Sequence, residues 1–492
     1  MIIQLSLLLS CKSISTIIPS TVDQPRPTLE QSITNTIPAA SSNTPTPGPT
    51  PSLTPAPTLA DQGPYLLYGK YRGDGPLILI DTGFQSKKEL NLPNGVYIYD
   101  LKHAVSPDGK WLAFYTGTDE EPYDISLNLM AIPDGSITPI SKLLSPEYPG
   151  NMRAVFNYYA QQGYEFDGMH YSAKMTFSWA ISRIFEWSPD GRFLAFAAQL
   201  SGPSSDLYVY DVQTGEIRRL TDDLRILIDV TWSPDGKWLL YENAMPGRNY
   251  TGATLHRMPA DGSVVLDSPI LEEGYWWSGI GWISPNLFLI TGQGDGGDPY
   301  ALRLLDVESG MMRDVWPKAY LSYAFDPLRQ TFAINGFEGV FLISLVDRTR
   351  RSMEGIDWII GSTGSPEYRF VGLKNGKLVF VLDDGTVIQS DLEFTPSDIL
   401  VSPDQQWFIL FRENYGRVPL TLISSSGEIQ RILSDLEVIV ALWRTDATEL
   451  IYASNEKLFH IIIPDGKPEL IDQCAPGDKD CYFHSSYMVW LP

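Results

Sequence analysis

Cysteine is almost missing from this chain. There are three in 492 residues, Cys11, Cys474 and Cys481. That number excludes a disulfide-dense scaffold and leaves one pair at most. Histidine is nearly as rare: His103, His170, His256, His460 and His484 are all there are, and no two stand at metal-ligand spacing. No metal or other cofactor is expected. Charged residues are only 19%, and positive charge is the scarcer sign, with 36 Lys and Arg against 59 Asp and Glu. A net charge of -23 repels phosphate backbones, so nucleic acid is not an expected partner. Beyond Cys11 no apolar run is long enough to span a bilayer. Catalytic signatures are absent too: there is no G-x-S-x-G elbow, no H-E-x-x-H and no phosphate loop.

What is abundant is turn chemistry and aromatic surface. Gly 40, Pro 37 and 12% aromatics suit a turn-rich β protein. Residues 19–62 are dominated by Pro, Thr and Ser, as in TIPAASSNTPTPGPTPSLTPAPTLA. Such a stretch buries too little apolar surface to fold, and Pro keeps it extended as a linker.

Ahead of the linker stands MIIQLSLLLSCKS. Leu8, a small residue at Ser10 and then Cys11 resemble the lipobox of bacterial lipoprotein signals. The resemblance implies that residues 1–18 form a signal and anchor region in which Cys11 carries the lipid. No Lys or Arg precedes the apolar run, so the true start is expected upstream. Lipid, stalk and globular body read together as an exported protein held at the cell envelope. Cys474 and Cys481 bracket CAPGDKDC and are candidates for one small disulfide; two free thiols are the alternative.

From Gly63 onward one phrase recurs. It is clearest at HAVSPDGKWLAFYT (103–116), EWSPDGRFLAFAAQ (186–199) and TWSPDGKWLLYEN (231–243). It decays to WISPNLFLITG (282–292), FDPLRQTFAING (325–336), VSPDQQWFILF (401–411) and WRTDATELIYAS (443–454). A period of roughly 40 to 50 residues indicates propeller blades. In one unit, SRIFEWSP alternates as a strand, Pro-Asp-Gly turns, RFLAFAAQ returns, LYVYDV follows, and QTG turns into EIRRLTD. Four antiparallel strands with two apolar faces must stack on neighbours.

SPDGKWLAF with LYVYD and TGEIRRLT resembles the TolB-type, WD-repeat-like β-propeller family over about residues 64–492. The resemblance implies fold and is nearly silent on function. Proteins named for TolB carry an α/β domain before the propeller. A Pro/Thr stalk occupies that place here, so the family's role beside the outer membrane is not carried over. Some serine peptidases set a similar propeller ahead of a hydrolase domain, a half that this chain is expected to lack.

The expected fold is therefore all-β: a single propeller over 63–492, with eight four-stranded blades and seven as the alternative. KLVFVLDDGTVIQSDLEF (377–394) reads as less than a full blade. PYLLYGKYRGDGPLILIDTGFQSKKELNL (64–92) resembles a unit without its first strand. SSYMVWLP (485–492) would supply that strand and close the ring.

Short turns on one face and long, varied loops on the other place any binding site on the variable face, near the channel. The insertion at about 142–181 contributes Tyr158, Tyr159, Tyr164, His170 and Tyr171, with a short helix expected in NMRAVFNYYAQQG. Tyr275, Trp276 and Trp277 stand before a first strand. Such aromatics stack on sugars or grip peptides; packing as a local core is the alternative. Asp108, Asp190 and Asp235 are turn residues, and Asp211 and Asp306 end third strands. Asp295 and Asp298 lack calcium-loop spacing. The function expected is a monomeric, non-catalytic lipoprotein binding a protein, peptide or glycan. A lyase or glycosidase acting on polysaccharide, with His170, Tyr171 and Asp167 as its first candidates, is the alternative.

Overall fold

The computed structural model describes residues 63–492 apart from 71–74, 85, 99, 118–124, 144–160, 162–183, 202–204, 223–224, 245–253, 263–276, 293–300, 391, 393–395, 397, 412–418, 427–429, 435–437, 439, 455, 476–477 and 479–480. The chain divides into two units, Met1–Pro55 and Ala56–Pro492, and the first lies outside the described residues.

The second unit is an all-β propeller of nine blades, not eight or seven. Blade 1 combines Met488–Leu491 with strands from 65–90. Blades 2 to 9 follow at 96–142, 185–219, 226–259, 277–316, 320–352, 358–389, 398–434 and 440–473. Every sheet has four strands except blade 4, which has three among the described residues. The correction comes from blade 7. Lys377–Leu382 and Val387–Gln389 are its third and fourth strands, preceded by Trp358–Ser362 and Tyr368–Lys374. Its first turn lacks Ser-Pro-Asp-Gly: the Ser365 hydroxyl accepts the Glu367 and Tyr368 amides instead, at 3.1 and 3.2 Å. Asn375 and Gly376, both at positive φ, then make the tight hairpin turn that such a pair favours.

Met488–Leu491 pairs antiparallel with Tyr65–Tyr68, Leu491 opposite Tyr65 and Met488 opposite Tyr68. The last strand therefore lies in one sheet with the first, as inner strand of blade 1.

The repeated phrase builds one device. The Ser106 hydroxyl donates to Asp108 Oδ1 (2.7 Å) and accepts the Trp111 amide (3.0 Å). The Gly109 amide donates to the Ser106 carbonyl. The same hydroxyl bridges recur at Ser188, Ser233 and Ser402. Each turn ends in the left-handed region, with φ of 71°, 71° and 69° at Gly109, Gly191 and Gly236. Asp211 is structural in the same sense, taking the Arg192 guanidinium at 2.7 Å. Asp306 accepts the Ser309 amide.

The repeat tryptophan joins blades. Trp187 Nε1 donates to the Ala104 carbonyl (3.0 Å), Trp232 to that of Glu186 (3.1 Å) and Trp443 to that of Leu400 (3.1 Å). Each acceptor stands on the preceding blade, one residue before that blade's counterpart of the tryptophan. Trp282 makes the same reach to the Thr231 hydroxyl. Around these bonds the core fills the space between sheets: Phe114, Phe196, Phe332, Phe370 and Phe408 are fully buried or nearly so. Each such ring contributes about 1.5–3 kcal/mol of burial.

Candidate functional site

First strands stand innermost in each blade and line the channel. Their side chains alternate, so every second one leaves the interblade core. In blade 3 that strand is Phe185–Trp187, and Glu186 precedes the buried tryptophan. In blade 4 it is Ile226–Trp232, with Asp229 three residues before its tryptophan. In blade 5, Trp277–Ser284 brings two glycines, Gly279 and Gly281, to the same level.

These segments enclose a cavity of about 430 Å³. Its polar groups are Asp100, His103, Glu186, Asp229 and Thr231, and its rings are Tyr115, Phe185 and Phe288. Blades 2, 3, 4 and 5 all contribute. The backbone around the cavity is fixed by side-chain bonds. Trp232 ties the Glu186 carbonyl, and the Tyr115 hydroxyl donates to the Ile184 carbonyl at 3.1 Å.

Asp100 and His103 belong to one short turn of helix, Leu101–Ala104, that Asp100 caps through the Lys102 amide. His103 Nδ1 lies 3.1 Å from Asp100 Oδ2. Burial pushes the Asp100 carboxyl up, but the His103 and Lys102 bonds outweigh it and hold the group below its usual range. The same bond raises the His103 imidazole, against its partial burial.

The other carboxylates behave differently. Burial pushes Glu186 up to about 7, with repulsion from Asp229 added and His103 opposing. Among the described residues no hydrogen-bond donor meets its carboxylate. Asp229 stands directly opposite Glu242 on the next strand. Burial pushes Glu242 to about 7 as well, reinforced by Asp229 and opposed by the Gly279 amide. Asp229 is itself raised by the crowding of protein around it, although its side chain remains accessible from the channel. The neighbouring Val230 amide donates to its Oδ1 at 2.9 Å.

Among the described residues this is an acidic, ring-lined pocket with one imidazole. It suits a cationic group: carboxylates supply charge and ring faces supply quadrupole attraction. Among the described residues no group of three His, Cys, Asp or Glu side chains is arranged to hold a metal ion.

Most residues singled out from the sequence cannot be compared with this site. Tyr158, Tyr159, Tyr164, Asp167, His170, Tyr171, Tyr275, Trp276, Asp295, Asp298 and Cys11 lie outside the described residues. Trp277 begins the inner strand of blade 5. Ile184 and the strand Trp277–Ser284, the described residues that follow 183 and 276 in the chain, contribute to the cavity wall. Cys474 and Cys481 stand as a bonded pair, Cα atoms 5.8 Å apart, buried beside Phe483 and Trp490. Sequence reasoning missed Glu186, Asp229 and Glu242. Their signal was a carboxylate inside an otherwise apolar strand, as in ILIDVTW and WLLYENA.

No family model matches the chain. A stretch of 54 residues is 44% identical to the uncharacterized peptidase YuxL of Bacillus subtilis (strain 168), which is 11% of this chain and only 8% of that protein. Among solved structures, a eukaryotic initiation factor superposes with a TM-score of 0.52 at 11% identity, covering 88% of this chain and 99% of that one. That likeness shows fold alone. TolB from Acinetobacter baumannii is also similar, at 15% identity over 75% of this chain and 79% of its own, with a TM-score of 0.29. So is an oligogalacturonate lyase solved with manganese, at 13% identity over 82% of this chain and 95% of that one, with a TM-score of 0.39.

Proposed function

We propose that this chain is a ligand-binding propeller displayed at the cell envelope, and that it takes a peptide through a basic side chain or free amine seated in the channel cavity. The carrying observation is the convergence of Asp100, Glu186 and Asp229 from three blades on one cavity that also holds three aromatic rings. A neutral glycan offers nothing to offset that charge, whereas an ammonium or guanidinium does. Display at the envelope rests on the lipobox-like Cys11, the Pro/Thr/Ser linker and the paired Cys474 and Cys481. Tyr158, Tyr159, Tyr164, His170, Tyr171, Tyr275, Trp276 and Trp277 belong to the same reading as further contacts to the peptide.

The test is binding of the full chain to an array of short peptides and oligosaccharides. Lysine- or arginine-bearing peptides are expected to bind, and Asp229→Asn is expected to weaken them at least about tenfold. Retention of neutral oligosaccharides only, unchanged in that variant, overturns the reading.

A second reading has one observation behind it. A carboxyl held near 7, as at Glu186, is what a general acid needs at a glycosidic oxygen. New masses in polysaccharide mixtures incubated with the chain, and lost in Glu186→Gln, would favour a glycosidase over a binder.

A further inference from the structure

The channel carboxylates are unequally provided with counter-charge. Asp229 and Glu242 face each other across two paired strands, where like charges repel most strongly. Glu186, on the inner strand of the neighbouring blade, adds to the repulsion on Asp229's side. The surrounding elements bring little to offset them. The Leu101–Ala104 turn offers His103, already paired with Asp100, and Lys102, which acts on that pair. The second strand of blade 2 offers the Tyr115 phenol, kept neutral by burial. The third strand of blade 4 offers His256, stacked on Tyr241 and pushed down to about 4 by burial and then by Arg225. The inner strand of blade 5 brings only the Gly279 amide among its described residues at this level. Ile184, Phe185 and Phe288 complete the wall. Glu186 and Asp229 line the cavity and Glu242 stands opposite Asp229 beside it, and three carboxylates so placed do not all ionise together; the least costly relief is a retained proton.

We propose that Glu186, Asp229 and Glu242 form a proton-binding cluster that is partly protonated when the cavity is empty and gives up its proton when a cationic group enters. The cluster makes ligand capture pH-dependent: the cationic ligand competes with protons at Glu186 and Asp229, and Glu242 is coupled to them through Asp229. This rests on the cationic-ligand reading above and adds its regulation. Binding then strengthens from about pH 6 to about pH 8 and releases roughly half to one proton per ligand at neutrality. The raised carboxyls at Glu186 and Glu242 agree with this direction.

Two measurements on the full chain test it. The first is calorimetric titration with a trilysine peptide, in two buffers of different ionisation heat, near pH 6 and pH 8. The expected result is about tenfold weaker binding at the lower pH, proton release at neutrality, and a flattened pH dependence in Glu186→Gln and Glu242→Gln. Equal affinity at both pH values without proton release overturns the proposal. The second needs no ligand: an NMR titration of ¹³C-labelled glutamate carboxyls, assigned by the signals each variant loses. Midpoints near neutrality for Glu186 and Glu242 support the cluster. Midpoints below about 5 overturn it. If trilysine binds at neither pH, the ligand reading and its coupling fail together, and the NMR titration still decides the cluster.

Discussion

Blades 2 to 4 and blades 6 to 9 share a topology but differ in where they follow the repeat. In blades 2 to 4 the turn phrase is intact, with glycine at each left-handed position. In blades 8 and 9 the equivalent positions hold Gln405 and Ala447 at φ of 60° and 62°, and in blade 6 the left-handed residue is Gln330, one position later, at 46°. The acidic groups of the cavity all stand on the regular blades 2 to 4, and blade 5 adds glycines and apolar wall. Regular turns and unusual inner strands therefore coexist in the same blades. The turn phrase belongs to the scaffold; chemistry enters at the inner-strand positions beside it. Ala104, Glu186 and Thr231 occupy one repeat position, and only the middle one carries charge.

The interblade tryptophans give the largest way to break this comparison. Trp187, Trp232 and Trp443 each donate to a carbonyl of the preceding blade, whereas the Trp490 indole nitrogen has no partner among the described residues. Replacing Trp187, Trp232 or Trp443 by Phe is expected to cost about 2–3 kcal/mol, from lost volume and an orphaned carbonyl. Trp490→Phe removes no such bond and is expected to cost under about 1 kcal/mol. Urea unfolding midpoints of the four variants decide the point. Equal losses would show that packing alone, not the hydrogen bond, holds neighbouring blades.

The blades were legible in the sequence wherever the turn is self-contained. Ser188, Asp190 and Gly191 complete their bonds within six residues, so Ser-Pro-Asp-Gly can be recognised without knowing any neighbour. Blade 7 was not legible as a full blade. Its first turn runs through Ser365 rather than the repeated phrase, and its third and fourth strands then looked like a fragment. The candidate site was hidden for a different reason. Whether Asp229 or Glu242 faces solvent, core or channel depends on register and on which blades adjoin. Neither is local: Asp229 meets Glu186 across 43 residues of chain.

The second prediction sharpens the contrast through pH. Glu186 and Glu242 have folded values near 7 against an ordinary 4.5. For a raised carboxyl the stabilising contribution is present below the ordinary value and is lost as pH rises through the folded one. Stability of the propeller is therefore expected to fall between about pH 4.5 and pH 7. Glu242→Gln should remove part of that fall and gain on the order of 2 kcal/mol at about pH 8, with little gain at about pH 5. Asp235 opposes this at the acid end: held at about 2 by Lys237 and Ser233, it makes stability fall below about pH 4. Thermal denaturation across that range reads both limbs. A flat profile from pH 5 to pH 8 that the variant leaves unchanged would remove the channel cluster from the account.

The smallest effect concerns the turns themselves. Gln405 and Ala447 adopt a left-handed backbone that costs a side-chain-bearing residue roughly 1 kcal/mol and costs glycine nothing. Gln405→Gly and Ala447→Gly are expected to recover part of that, about 0.5–1 kcal/mol each, less the greater freedom glycine gives the unfolded chain. The mirror experiment is Gly191→Ala in blade 3. There a Cβ would lie 3.1 Å from the Asp108 carboxylate of the neighbouring blade and at an unfavourable φ of 71°. A loss of about 1–2 kcal/mol is expected, detectable as a lower denaturation midpoint. Should both glycine replacements destabilise, the glutamine and alanine side chains must be contributing interblade contacts that outweigh the backbone. The irregular blades would then be adapted rather than decayed copies of the regular ones.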